Sequence, residues 1–213
     1  MKARKTEKLK RSELQRLNKQ AFSAWRQEYP AHTLELTKKY LQADQENPWI
    51  WLIYAQTLTI LARYRESRTA IIKAIKLLEK DKYRQYLAYA EMGHLYKERG
   101  KYSQSEQWYR KAIECRPRNT SGYTYLGAVL ARQGKLKKAE QCYRKATRFK
   151  PLPEEVHLNL GNVLRSQERY KEAERCFKKA LQVDPKYALA KRALKDIERV
   201  FSMQKKTKSR RKK

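Results

Sequence analysis

Acidic residues are scarce in this chain: 22 Asp and Glu stand against 52 Lys and Arg, for a formal net charge of +30. A field of that size draws in RNA, DNA, anionic lipid or acidic protein without discriminating among them. The termini hold part of the excess, +6 over residues 1–20 and +7 over residues 204–213, which leaves +17 on the segment between. Long apolar runs are also missing. The stretch Trp49 to Ala55 is too short to cross a bilayer, mean hydropathy is -0.99, and the charged Met1 to Lys10 does not read as a secretory leader. No transmembrane segment is expected, and the cytoplasm is the default location. Cysteine is limited to Cys115, Cys142 and Cys176, an odd number without a CxxC or Cys-plus-His cluster, which argues against a disulfide framework and a metal site. Histidine is limited to His32, His94 and His157, spread along the chain, and no Ser or Cys has a base at catalytic spacing. No catalytic residue, metal or cofactor is expected.

With only 6 Gly and 6 Pro, little interrupts a helical pattern, and those residues recur at a spacing of 34. In residues 120–153 the order is Tyr123, Leu126-Gly127, Leu130, Ala139, Tyr143, Ala146 and Pro151. Thirty-four residues later stand His157, Leu160-Gly161, Leu164, Ala173, Phe177, Ala180 and Pro185; thirty-four earlier stand Tyr89, Met92-Gly93, Tyr96, Ser105, Tyr109, Ala112 and Pro117. Apolar residues three and four apart make one stripe of a helix. Gly93, Gly127 and Gly161 leave room on that stripe for a second helix. Gly100 and Gly134 suit the turn between the two helices, where the third repeat carries Glu168, and the prolines end the second helices.

These motifs resemble the tetratricopeptide repeat. The resemblance implies an all-α solenoid, a right-handed superhelix of antiparallel helix pairs whose concave groove holds a peptide segment of a partner. The regular repeats are 86–119, 120–153 and 154–187. A divergent repeat over 48–85 carries Trp51, Tyr54-Ala55, Leu58, Ser67, Ile71 and Ala74 with four extra residues, about one helical turn. Those residues are expected to lengthen the helix around Ala70 to Lys80 or its connection to Tyr86. A degenerate hairpin with helices near 8–28 and 31–44 is expected over 21–47 behind a basic, partly helical segment 1–20, in which Leu9, Leu14 and Leu17 allow an amphipathic helix that could lie on that hairpin or on a membrane surface. A capping helix over 188–203 should close the stack, followed by a disordered basic tail over 204–213. Every segment is thereby assigned, so no appended enzyme domain is expected.

In such a solenoid the first helices line the groove. Its apolar end would present Trp49, Leu52, Ile53, Gln56 and Thr59, with the N-terminal hairpin expected to cover Trp49, Leu52 and Ile53. Further along come Ala90, Glu91 and His94, then Thr124, Tyr125 and Arg132, then Leu158, Asn159, Asn162 and Arg165. The favoured partner-binding residues are Tyr125, Arg132, Asn159, Asn162 and Arg165, because amides pair with both donors and acceptors of an extended peptide. The Lys, Asn and Arg set with which some tetratricopeptide proteins clamp a chaperone's terminal carboxylate is not found at the corresponding places.

A second pattern lies on the other helices. Arg110-Lys111, Arg144-Lys145 and Lys178-Lys179 recur at 34-residue spacing and should form a basic ridge suited to phosphates, with Lys205, Lys206, Lys208, Arg210, Arg211, Lys212 and Lys213 as a nucleic-acid tail or nuclear import signal. The leading expectation is a non-catalytic protein-interaction scaffold. The alternative is an RNA-binding or ribosome-associated adaptor that uses the ridge and tail, nuclear if the cell has a nucleus.

Overall fold

The computed structural model describes residues 10–150 and 153–210, with side chains as far as Lys205. Leu9, Pro151, Arg211, Lys212 and Lys213 lie outside the described residues, as do the side chains of Lys206, Lys208 and Arg210. Among the described residues there are eleven helices and no strand. The chain divides into two compact units, Met1–Arg116 and Pro117–Lys213.

The first unit holds three hairpins: α1 (Arg11–Arg26) with α2 (Pro30–Ala43), α3 (Pro48–Ile60) with α4 (Tyr64–Leu77), and α5 (Lys82–Glu98) with α6 (Tyr102–Cys115). Each helix from α1 to α5 packs on the next, and the first helices of successive hairpins touch as well, α1 on α3 and α3 on α5. Pro30 and Pro48 begin their helices where no backbone donor is needed, and the Asn47 side chain accepts from the Trp49 amide at 3.0 Å. The first core joins Leu17, Ala21 and Ala24 of α1 to Leu36, Tyr40 and Leu41 of α2 and Ile50 and Ile53 of α3.

Helices α1 and α2 lie where helices near 8–28 and 31–44 are expected, so α1 crosses the division drawn at position 20; one other expectation moves. Leu17, Ala21 and Ala24 form one buried stripe without a helix breaker between them. The four extra residues of the divergent repeat extend neither α4 nor its connection. They form the first turn of α5, where the Asp81 carboxylate caps the Arg84 amide at 2.9 Å.

The second unit holds α7 (Thr120–Arg132) with α8 (Leu136–Ala146), α9 (Glu154–Ser166) with α10 (Tyr170–Val183), and α11 (Ala188–Arg210). Here α7 touches α9, and α9 touches α11. Asn119 caps α7 by accepting from the Gly122 amide at 3.0 Å. Helix α8 stops at Ala146, well before Pro151; the Thr147 hydroxyl donates to the Arg144 carbonyl, and Phe149 stacks on Tyr123. Ala190, Ala193 and Ile197 bury one face of α11. The tail expected to be disordered from 204 continues this helix to Arg210, since no Gly or Pro interrupts a run rich in Lys and Arg.

Every hairpin turn with a positive backbone φ lies at a matching place: Glu28, Ala62 and Gly100 in the first unit, Gly134 and Glu168 in the second. Three of these five are residues that carry steric strain in the left-handed region.

Candidate functional site

In the second unit, α7 and α9 carry the five residues singled out for partner binding. Asn162 is half-buried, and its side-chain amide makes no hydrogen bond among the described residues. Asn159, also half-buried, donates from its amide nitrogen to the Glu155 carboxylate at 3.3 Å. Arg165 reaches Asp196 of α11 at 3.9 Å, which keeps its guanidinium beside α9 without a tight ion pair. Tyr125 is half-buried and Arg132 exposed on α7. The surface therefore offers one open amide, one loosely held amide and two guanidinium groups.

Other expected groove residues are not available. Ala90, Thr124 and Leu158 are buried, because this repeated position faces a neighbouring helix, and the Thr124 hydroxyl donates to its own helix at Thr120. In α3, Ile53 joins the core under the N-terminal hairpin, whereas Leu52 packs with Ala74, Leu78 and Ala88, with Trp49 against them. The N-terminal hairpin thus covers Ile53, and α4 and α5 cover Leu52. Gln56 accepts from the Trp25 indole at 2.7 Å, and Thr59 is bonded to Ser67 at 2.7 Å.

The first unit places different chemistry at the equivalent positions of α5. Burial pushes the Glu91 carboxyl up to about 7, against a smaller opposing influence of Lys97. Burial likewise pushes His94 down to about 4, with Lys97 adding to the shift, while His94 Nδ1 meets the Tyr109 hydroxyl at 3.0 Å.

The basic pairs are less exposed as charge than their sequence suggests. Arg110 binds Glu106 at 2.7 Å, Arg144 binds Glu140 at 2.8 Å and Glu172 at 3.3 Å, and Lys178 binds Glu174 at 2.6 Å. Lys111 sits over the Trp108 ring at 4.4 Å and Lys145 over Tyr123 at 4.8 Å. Glu106, Glu140 and Glu174 are themselves 34 residues apart and four before each basic residue, the spacing at which helix side chains pair. The recurrence of these glutamates is the sequence signal for the pairs. Glu140 is further bound by Arg169 at 2.7 Å, which ties α8 to the start of α10. Lys205 is exposed on α11.

Residues 89–204, over half of the chain, match the protein family described as the middle TPR-like domain of cilia and flagella-associated protein 70. The chain belongs to this tetratricopeptide-repeat family. Among solved structures, MamA from Desulfovibrio magneticus RS-1 is 18% identical with a TM-score of 0.65, covering 82% of this chain and 97% of that one. The thermophilic TPR protein TTC0263 of Thermus thermophilus is also 18% identical, with a TM-score of 0.64 over 86% of this chain and 98% of its own. YrrB, described as a TPR protein with an unusual peptide-binding site, is 18% identical with a TM-score of 0.60 over 82% and 88%. At these identities the likeness is one of fold, an all-α solenoid of helix pairs. No curated protein matches the sequence. Among the described residues no helix is long and apolar enough to cross a membrane.

Proposed function

We propose that the chain is a non-catalytic protein-interaction scaffold that holds an extended partner segment against α7 and α9, with Tyr125, Arg132, Asn159, Asn162 and Arg165 in contact. The unpaired amide of half-buried Asn162 carries this reading. An amide without a protein partner that water still reaches can exchange that water for a peptide backbone, as both donor and acceptor. Asn159 lies three residues earlier on the same helix and is bound only at 3.3 Å, so it can exchange Glu155 for a ligand. The test is affinity purification from the native cell with nuclease present, comparing the wild type with Asn159→Ala/Asn162→Ala/Arg165→Ala. A discrete partner should be lost by the variant while its helical signal is unchanged; equal recovery by both would overturn the site.

The net charge of +30 favours a second reading, an adaptor for RNA or another polyanion that uses the exposed members of the basic pairs and the C-terminal run. Phosphate contacts of that kind lose orders of magnitude in affinity over a few-fold rise in salt, whereas a groove-bound peptide tolerates it. Partners that vanish with nuclease would transfer the function to this surface.

A further inference from the structure

A cleft of ≈ 520 Å³ opens between the ends of α8 and α10, over α9, lined by Arg144, Thr147, Lys150, His157, Cys176 and Lys179 among others, with no acidic residue in its wall. His157 is 8% exposed, and its Nδ1 is buried without a hydrogen-bond partner. A buried imidazole nitrogen left unpaired is costly, so a ring that packing alone required would be better served by tyrosine or phenylalanine. Lys150 and Lys179 are exposed and form no ion pair among the described residues, unlike Lys178, which Glu174 holds at 2.6 Å. Both free lysines act on His157. Burial first, then Lys179 and Lys150, lower its affinity for a proton. Arg144 at the rim engages Glu140 and Glu172, which keeps those carboxylates occupied outside the cleft.

We propose that this cleft binds a phosphomonoester borne by a partner polypeptide, with Lys150, His157 and Lys179 as its recognition groups. A phosphomonoester carries nearly two negative charges at neutral pH and three terminal oxygens. Two lysines match that charge, and the neutral imidazole in the cleft wall supplies one ring N–H for the third oxygen. A phosphodiester backbone offers single charges in a row, whereas these three donors gather at one place. The cleft uses a different face of α9 from Asn159 and Asn162, so this inference and the groove reading fail separately.

The full chain would be titrated, at constant ionic strength, with inorganic phosphate, a peptide carrying one phosphoserine, the same peptide unphosphorylated, and single-stranded RNA. The imidazole resonances of His157 are followed by NMR and assigned by comparison with His157→Phe. Phosphate and the phosphopeptide should shift those resonances, and the unphosphorylated peptide should not. Lys150→Ala/Lys179→Ala should weaken phosphopeptide binding at least about tenfold, whereas Lys178→Ala should change it less than about twofold, because only the first pair makes charge-assisted contacts. Both lysines are exposed, so this variant keeps its fold even if His157→Phe does not. The proposal is overturned if the His157 resonances ignore phosphate and phosphopeptide, if Lys178→Ala costs as much as the double variant, or if RNA alone moves them.

Discussion

The α3–α4 and α9–α10 hairpins bring two helices together at the same point of the repeat with opposite divisions of volume. In α9, Gly161 leaves a space that the Phe177 ring fills; an added Cβ would lie 2.5 Å from Cε1 of that fully buried ring. Gly93 with Tyr109 repeats the arrangement at 2.6 Å, and Gly127 with Tyr143 at 2.9 Å. In α3 the place of the glycine belongs to Ala55, and the facing residue on α4 is Ile71; both are buried in one cluster. The methyl group added on one helix is offset by the ring removed from the other. The repeat therefore keeps the summed volume across the pair rather than the glycine, which is what close packing in the interior requires.

The largest test of that comparison is Gly161→Ala, which should cost about 2–3 kcal/mol in urea unfolding because the Phe177 ring has nowhere to go. Combining it with Phe177→Ile rebuilds the α3–α4 solution. The double variant should be more stable than the sum of the two single changes by at least about 1 kcal/mol. Simple additivity would sever the link between the two residues.

A charge difference comes next. Glu91 in the first unit stands where the second has neutral Tyr125 and Asn159. With its folded value raised to about 7 from 4.5, the folded chain holds the Glu91 proton where the unfolded chain releases it. Stability contributed at this residue is therefore lost as pH rises from 4.5 to 7. Glu91→Asn should stabilise the protein by on the order of 1–2 kcal/mol at pH 7.5, discounting for its partial exposure, and by nothing measurable at pH 4. A gain that does not depend on pH would show that desolvation is not the cause.

Smaller effects separate the hairpins by polarity. The Ser105 hydroxyl donates to the Gly93 carbonyl at 2.7 Å and that of Ser67 to Ala55 at 2.9 Å, whereas Ala139 and Ala173 make the same approach without a hydroxyl. Ser105→Ala should cost about 1 kcal/mol, read from the urea midpoint at unchanged slope. Ala139→Ser should be nearly neutral, since the Gly127 carbonyl stands at the matching place. The smallest change expected is at the turns. Ala62→Gly relieves a left-handed alanine and should raise stability by about 0.5 kcal/mol, a balance of steric relief against the added entropy of the unfolded chain. Gly134→Ala should lower it by about 1 kcal/mol, although an added Cβ there meets nothing within 4 Å.

Much of this was legible in residue order. The 34-residue period locates α7 and α9 at their first residues, Thr120 and Glu154, because each helix is a local object specified by residues three and four apart. The start of α5 is not legible in the period, which counts from the packing stripe, whereas Asp81 caps a helix that begins one turn earlier. The ion pairs along the ridge become legible when Glu106, Glu140 and Glu174 are read together with the basic residues four positions after them. Ala90, Thr124 and Leu158 were placed in the groove because a helical wheel distinguishes the face toward the hairpin partner from the rest, but not a second contact with a neighbouring hairpin.

By itself, then, the sequence determined the repeat, the starts of α7 and α9 and the strongly positive charge, all of which follow from near-neighbour spacing and composition. Only the tertiary structure decided which polar groups converge, and that His157 Nδ1 loses its water without gaining a partner. Lys150, His157 and Lys179 meet because α9 and α10 fold back on α8, and the amide of Asn162 stays open because nothing packed beside it answers it. Burial and convergence of this kind depend on how hairpins stack, a distance in space that spacing along one helix does not encode.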